Sequence, residues 1–461
     1  MNPIHLDPEF ARRTEVGLPI VHGVHAVLWA LEELLSRQVL VVGHIKAEFV
    51  APLYLGDLVH AEAMLTDAGA EITIRSSDAV AIKVRVGSKA QRGASPPTND
   101  GAMSSWPVQA IEQSCDSLSL EARNFPAEGD LDRIGGEFPI LSKSISPRRV
   151  AALCAVSRIV GMVNPGLHSL LKGFSLDLLP SGPHNSIGME AQAIDANFRL
   201  VKLAVRAAGI SGRAEAFLRH PPAQQPSMNQ FAATIGRNEF DGANVLVVGG
   251  SRGLGEAIAK ACAAGGARVC LTWAVGERDA QRVRDEIRHW GGDAECIRLD
   301  IREEIASQLV GLPAGMSHFY YCASPPMQRR RVAGLSESLL AELLEFHVDG
   351  LYRTSLALAA RAQGTHLRGY FPSTTSIERP ARGLMELSVA KAAGEALSIY
   401  LGTLLRGIDM CHSRLPRLRT DQTATVIPTR TTPMLDIVVP LVRAVQTEQT
   451  PGSPTGSIAS K

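Results

Sequence analysis

Apolar residues recur at spacings of three and four at Val24, Val27, Leu28, Leu31, Leu34 and Leu35. That is one stripe of an amphipathic helix. Short β-rich runs follow at 46–50, 57–65, 71–75 and 80–86, separated by Pro, Gly and Asp. A helix lying on an antiparallel sheet is the economical arrangement. The plan returns more faintly with a helix over 147–163, a Pro165-Gly166 break, and strand-like runs at 174–179, 186–193, 198–207 and 214–218. Two halves of this kind are expected to pack side by side as one pseudo-symmetric unit.

The pattern then changes. The tetrad Val245-Leu246-Val247-Val248 runs into Gly249-Gly250-Ser251-Arg252-Gly253-Leu254-Gly255 and on into a helix over 256–264. A buried strand, a glycine turn and a helix make a nucleotide-binding crossover, with phosphate at the positive end of the helix. Further strands are expected at 268–273, 296–299, 319–322 and 369–373, with a helix over 277–290. Strands alternating with helices predict a right-handed, doubly wound parallel sheet.

At 461 residues and 45% apolar composition, the chain is too long for one ordinary domain. Pro/Gly/Ser/Asn-rich stretches at 91–104 and 221–244 divide it as linkers, leaving domains at 1–95, 105–222 and 241–440. The polar tail 447–461 is expected to be disordered. Lys plus Arg (47) nearly cancels Asp plus Glu (46), so nucleic acid is not an expected partner. Seven cysteines without a Cys-x-x-Cys pair imply a reducing compartment and no metal site. No apolar run approaches the ~20 residues of a membrane span, so a cytoplasmic protein without membrane partners is expected.

Asn2-Pro3-Ile4-His5-Leu6-Asp7, Phe10-Ala11 and Gly17-Leu18-Pro19-Ile20-Val21-His22-Gly23 resemble the hydratase signature of the MaoC-like hot-dog family, as does the later Phe49-Val50-Ala51-Pro52-Leu53-Tyr54-Leu55-Gly56-Asp57. The resemblance implies addition or removal of water across an enoyl thioester carried on coenzyme A or an acyl-carrier protein. His5 matches the family's catalytic histidine. Gly23 would polarise the thioester carbonyl with its N–H and the helix dipole, and Asn2 would orient its neighbours. The family's aspartate lies two residues before the Asn, ahead of Met1 here. Either translation starts upstream or this half lacks its acid/base carboxylate. Val160 to Ser169 resembles the helix-end region of hot-dog repeats without the Asn-Pro-x-His match, so the middle domain is expected to be a non-catalytic partner with a structural His168.

The third domain resembles the short-chain dehydrogenase/reductase family. Val248 to Gly255 matches its Thr-Gly-x-x-x-Gly-x-Gly turn, and Cys322-Ala323-Ser324 stands where Asn-Ala-Gly is usual. The cofactor-binding residues implied are Gly249, Ser251, Arg252, Gly253, Leu254, Gly255, Asp300, Ile301, Cys322, Ala323 and Lys391. Arg252 lies in the turn, and Thr272-Trp273-Ala274 rather than an acid ends the second strand, which favours NADP over NAD. Lys391 matches the family's catalytic lysine. Four residues earlier, however, stands Leu387 instead of the proton-donating tyrosine. Thr374, with Ser373 adjacent, occupies the serine position and His347 the asparagine position. Either reduction is lost, or another group such as His347 or a substrate hydroxyl supplies the proton. Arg329-Arg330-Arg331 reads as a solvated loop.

These resemblances imply a double hot-dog unit followed by a Rossmann-type sheet. The expected enzyme is a 3-hydroxyacyl dehydratase or enoyl hydratase joined to an NADP-dependent 3-oxoacyl reductase-like domain, of fatty acid or polyketide type, and a homodimer is the expected assembly. The alternative is a catalytically impaired protein that binds an acyl chain and NADP.

Overall fold

The computed structural model describes residues 1–76, 79–89, 103–126, 129–179, 186–207, 209–326, 334–362, 366–381, 383–426 and 429–447. The arginine triplet at 329–331, most of the 91–104 stretch and the tail beyond 447 lie outside them. The chain forms two units, the first built on residues 1–221 and the second on most of the remainder.

The first unit is one nine-stranded antiparallel sheet. Its strands are β1 (His44–Phe49), β2 (Val59–Thr66), β3 (Gly69–Ser76), β4 (Ala79–Gly87), β5 (Arg123–Pro126), β6 (Ser169–Leu178), β7 (Ser186–Asp195), β8 (Leu200–Ala207) and β9 (Ile210–Leu218), in the order β2-β3-β4-β1-β6-β9-β8-β7-β5. The two halves join where β1 pairs with β6, His44 opposite Asp177 and Lys46 opposite Ser175. The Gly23–Arg37 helix turns Val24, Val27, Leu28, Leu31 and Leu34 onto the sheet. The Pro147–Met162 helix adds Val150, Leu153, Val156 and Ile159 to the same core. Proline at the first position of that helix has no N–H to leave unbonded. Alternation sends Ile45 and Ala47 of β1 into this core. His44 and Lys46 therefore point to the opposite face.

The second unit is a six-stranded parallel sheet of β10 (Asn244–Val248), β11 (Arg268–Trp273), β12 (Ala294–Arg298), β13 (His318–Tyr321), β14 (Leu367–Thr374) and β15 (Ile408–Leu415). The order is β12-β11-β10-β13-β14-β15, every neighbouring pair parallel. The strand order reverses between β10 and β13, and a nucleotide crevice belongs outside the carboxyl ends of those two strands. The fold is thus a double hot-dog unit followed by a Rossmann-type sheet.

Two sequence expectations need correction. The stretch 221–244 is not a bare linker, because it contains the Met228–Ala232 helix, capped by Ser227 with Gln230, and it buries Met228, Phe231, Ile235 and Phe240 in the second unit's core. Its Pro, Gln and Asn content hides four large apolar residues whose burial outweighs the polar composition. The parallel sheet also has a sixth strand that the pattern did not announce. In β15, Asp409, His412 and Arg414 interrupt the apolar run, and the strand is fixed by pairing with β14 across eight register positions.

Candidate active sites

In the first unit the short helix Pro3–His5 is capped by Asn2, whose Oδ1 accepts the N–H of Ile4 at 3.1 Å. The Asn2 amide nitrogen lies 2.8 Å from the Gly161 carbonyl and 3.2 Å from those of Gly166 and Leu167. Asn2 therefore ties the amino end to the helix end of the second half. His5 Nδ1 lies 2.8 Å from the carbonyl of Ile20. A carbonyl only accepts, so Nδ1 carries the proton and Nε2 is left as the basic atom. The ring stacks on His22 at 3.6 Å between centroids. Burial holds His5 below the usual imidazole range, and it pushes His22 down to about 4, with His5 adding to the effect. Both rings are neutral at pH 7.

His22 is the residue before the Gly23–Arg37 helix, so the Gly23 N–H opens that helix beside the His5/His22 stack. A Cβ at Gly23 would stand 2.4 Å from Phe49 Cε1, which leaves glycine as the fitting residue there. Asp7 caps the Pro8–Ala11 helix by accepting the N–H groups of Glu9 and Phe10. Sequence reasoning missed one buried ion pair. Glu15 and Arg219 form a buried pair at 3.5 Å, and Arg219 also donates to the carbonyls of Leu167 and Ser169. Nothing local in sequence links positions 204 residues apart. His168 is buried, with Nε2 3.0 Å from Glu112 Oε1.

In the second unit, Gly249 has φ +78°, and a Cβ there would meet Ala323 N at 2.9 Å where β10 and β13 end side by side. A Cβ at Gly255 would lie 2.2 Å from the Gly249 carbonyl oxygen. The loop is a tight cradle leading into the Gly253–Ala264 helix. Thr272 Oγ1 accepts the Gly249 N–H at 3.1 Å. The Arg252 guanidinium is shared by two carboxylates that sequence reasoning missed, Asp421 at 3.2 Å and Asp279 at 3.7 Å. Asp300 accepts from Arg302 at 2.8 and 3.0 Å, and that pairing holds its carboxyl below the usual range. Ile301 is buried beside it.

Lys391, on the Met385–Leu404 helix, donates to the Pro372 carbonyl at 2.7 Å and lies 4.6 Å above the Phe371 ring. Burial pushes it down to about 8, and burial raises the Cys322 thiol to about 12. His347 stands in a π-helical turn, Glu345–Asp349, between two α-helices. Neither of its ring nitrogens has a hydrogen-bond partner among the described residues. Burial, and then the Lys391 charge, hold it well below the ordinary range, so it is a neutral imidazole and a poor source of protons at pH 7. Thr374 Oγ1 lies 2.9 Å from Ser376 Oγ, which lies 2.9 Å from Ser388 Oγ. Ser373 is buried next to Thr374. Ser376 and Ser388 were not singled out from the sequence, although Ser388 is adjacent to Leu387.

Known proteins resemble these two units separately. Residues 1–88 match the family profile of the MaoC like domain, and residues 243–311 match that of short chain dehydrogenases. The chain therefore joins a MaoC-like domain to a short-chain dehydrogenase domain. A versicolorin reductase from Emericella nidulans is 37% identical over 82 residues, which is 18% of this chain and 31% of that protein. The match thus spans about a third of that relative's length. Among solved structures, a short chain dehydrogenase from Burkholderia cenocepacia in complex with NADP is 25% identical, with a TM-score of 0.41, covering 45% of this chain and 92% of that one. A gluconate 5-dehydrogenase from the same organism, in complex with NADP and tartrate, is 18% identical with a TM-score of 0.40, covering 45% and 90%.

Proposed function

We propose that the chain is an enzyme of acyl-thioester metabolism, a 3-hydroxyacyl dehydratase or enoyl hydratase joined to an NADP-dependent 3-oxoacyl reductase-like domain, of fatty acid or polyketide type. Its partner is an acyl thioester of coenzyme A or an acyl-carrier protein, and a cytoplasmic homodimer belongs to the same reading.

The observation that carries the hydratase half is the bond between His5 Nδ1 and the Ile20 carbonyl, which leaves Nε2 free as a base beside the first N–H of a helix. Nε2 takes a proton from a water as that water adds to Cβ of an enoyl thioester. Negative charge grows on the thioester oxygen, where the Gly23 N–H and helix dipole stabilise it. The His5 imidazolium returns the proton to Cα. Asn2 holds the short helix that presents His5.

For the second unit, the cradle that a Cβ at Gly249 or Gly255 would fill fits a dinucleotide pyrophosphate against the Gly253 helix end. Gly249, Ser251, Gly253, Leu254 and Gly255 would hold the pyrophosphate, Arg252 a 2′-phosphate, and Asp300 and Ile301 the adenine. Cys322, Ala323 and Lys391 would stand at the nicotinamide end. NADPH, when bound, supplies a hydride to a carbonyl carbon. Thr374 and Ser373 would hold that carbonyl. One observation favours a second reading, an acyl-chain and NADP-binding protein impaired in reduction, because Leu387 offers no proton and His347 is held neutral.

The test offers purified protein crotonyl-CoA, followed by loss of the enoyl absorbance, and acetoacetyl-CoA with NADPH, followed by cofactor oxidation. Hydration of the first supports the enzyme reading. NADPH binding with silence in both assays overturns it in favour of the second.

A further inference from the structure

Outside the sites above, one cluster of side chains has the geometry of a nucleophile, a base and an orienting acid. It lies at the seam of the double hot-dog unit, on the sheet face opposite the helices. His44 of β1 stands directly across from Asp177 of β6. His44 Nδ1 lies 2.6 Å from Asp177 Oδ1, and Ser175 Oγ lies 3.2 Å from His44 Nε2. A carboxylate accepts, so Nδ1 carries a proton, and in the neutral ring Nε2 then accepts from the serine hydroxyl. That is the tautomer a serine nucleophile needs. The His44 side chain is 5% exposed and that of Asp177 17%, and Ser175 is half-buried.

The arrangement follows from register. Ser175 and Asp177, two apart on β6, share a face, and the His44 ring reaches both from the neighbouring strand. Lys46 and Arg213 stand opposite Ser175 on its two flanking strands, and Arg85 stands opposite Lys46. Lys46 is ion-paired with Glu48 at 2.8 Å and Arg85 with Glu71 at 2.9 Å. Basic residues thus flank Ser175 in the register, and Lys46 and Arg85 are each balanced by a glutamate.

We propose that Ser175, His44 and Asp177 form a nucleophilic acyl-transfer site that cleaves an acyl thioester. The substrate class rests on the acyl-thioester reading; the nucleophile does not. Ser175 Oγ bonds to the thioester carbonyl carbon as its proton passes to His44 Nε2. The C–S bond breaks and the thiolate leaves with that proton. Water, deprotonated by the same nitrogen, then cleaves the acyl-serine to a free acid and restores Ser175. Asp177 is a positioning residue that acts through His44.

The test uses the full chain and a biotinylated fluorophosphonate, whose reaction with serine is independent of any thioester. One label per chain at Ser175 is expected by peptide mass spectrometry. It should be absent from Ser175→Ala and from heat-unfolded protein, and slowed at least about a hundredfold in His44→Gln, the usual worth of a general base. Asp177→Asn should slow labelling while circular dichroism and the melting transition show an intact fold. No label on the folded protein, or an unchanged label in Ser175→Ala, overturns the proposal. Thiol release from butyryl-CoA, read with a disulfide reagent, tests the substrate. Labelling at Ser175 without thiol release overturns the thioester assignment, and crotonyl-CoA hydration, measured separately, reports on the hydratase reading.

Discussion

Lys391→Met asks whether the lysine of the second unit is a desolvated amine. Its side chain donates to one carbonyl, Pro372 O, lies over Phe371, and is pushed from an ordinary 10.5 down to about 8 by burial. A lysine displaced that far costs the folded state about 3 kcal/mol while it is protonated. The sign follows from proton counts. Between about 8 and 10.5 the unfolded chain binds a proton that the folded chain does not, so wild-type stability rises with pH through that window. Methionine has similar length and no charge, so the variant lacks this slope. It loses the bond to the Pro372 carbonyl, a cost of about 1–3 kcal/mol at every pH. Urea unfolding of wild type and variant at pH 6.5 and pH 10 isolates the charge, because shared titrations cancel in the difference. Relative to wild type, the variant should be better placed at pH 6.5 by about 2–3 kcal/mol than at pH 10. A difference that does not change with pH would refute the desolvated lysine.

Four further outcomes follow from the geometry. Gly23→Ala drives a Cβ into Phe49 and moves the helix N–H, so crotonyl-CoA hydration should fall by roughly 10²–10³-fold, the usual worth of one oxyanion donor; an unchanged rate removes Gly23 from the mechanism. The hydration rate should rise with pH through a value below 6.5 and stay flat above it, because burial lowers His5 and only its neutral form is a base; a profile that falls over that range contradicts the assignment. Arg252→Ala should weaken NADPH at least about tenfold in a fluorescence titration and leave NADH nearly unchanged, since only NADPH brings a 2′-phosphate to the guanidinium. Leu387→Tyr restores a phenol four residues before Lys391 and should raise acetoacetyl-CoA reduction by about 10²-fold or more. No gain there would refute the reading that Leu387 is what limits reduction.

Much of this molecule was legible along the chain. The stripe from Val24 to Leu34, the tetrad Val245 to Val248 and the glycines after it are local patterns whose burial or backbone geometry has one economical solution, and both folds follow from them. The composition of 221–244 misled because polar residues outnumber the four apolar ones that anchor it, and β15 stayed hidden because its hydrogen bonds lie with β14. At the sites, His5, Gly23 and Lys391 were readable as residue types at family spacings. What they do depends on what surrounds them, and that comes from distant strands and helices. The Ile20 carbonyl selects the His5 tautomer, the Phe49 ring crowds the Cβ position of Gly23, and Asp421 and Asp279 pair with Arg252. Sequence fixes which groups exist and which face of an element they share. Burial, tautomer and pairing arise when elements far apart in sequence meet, so only the tertiary structure brings Ser175 to His44 across the seam and holds Lys391 away from water.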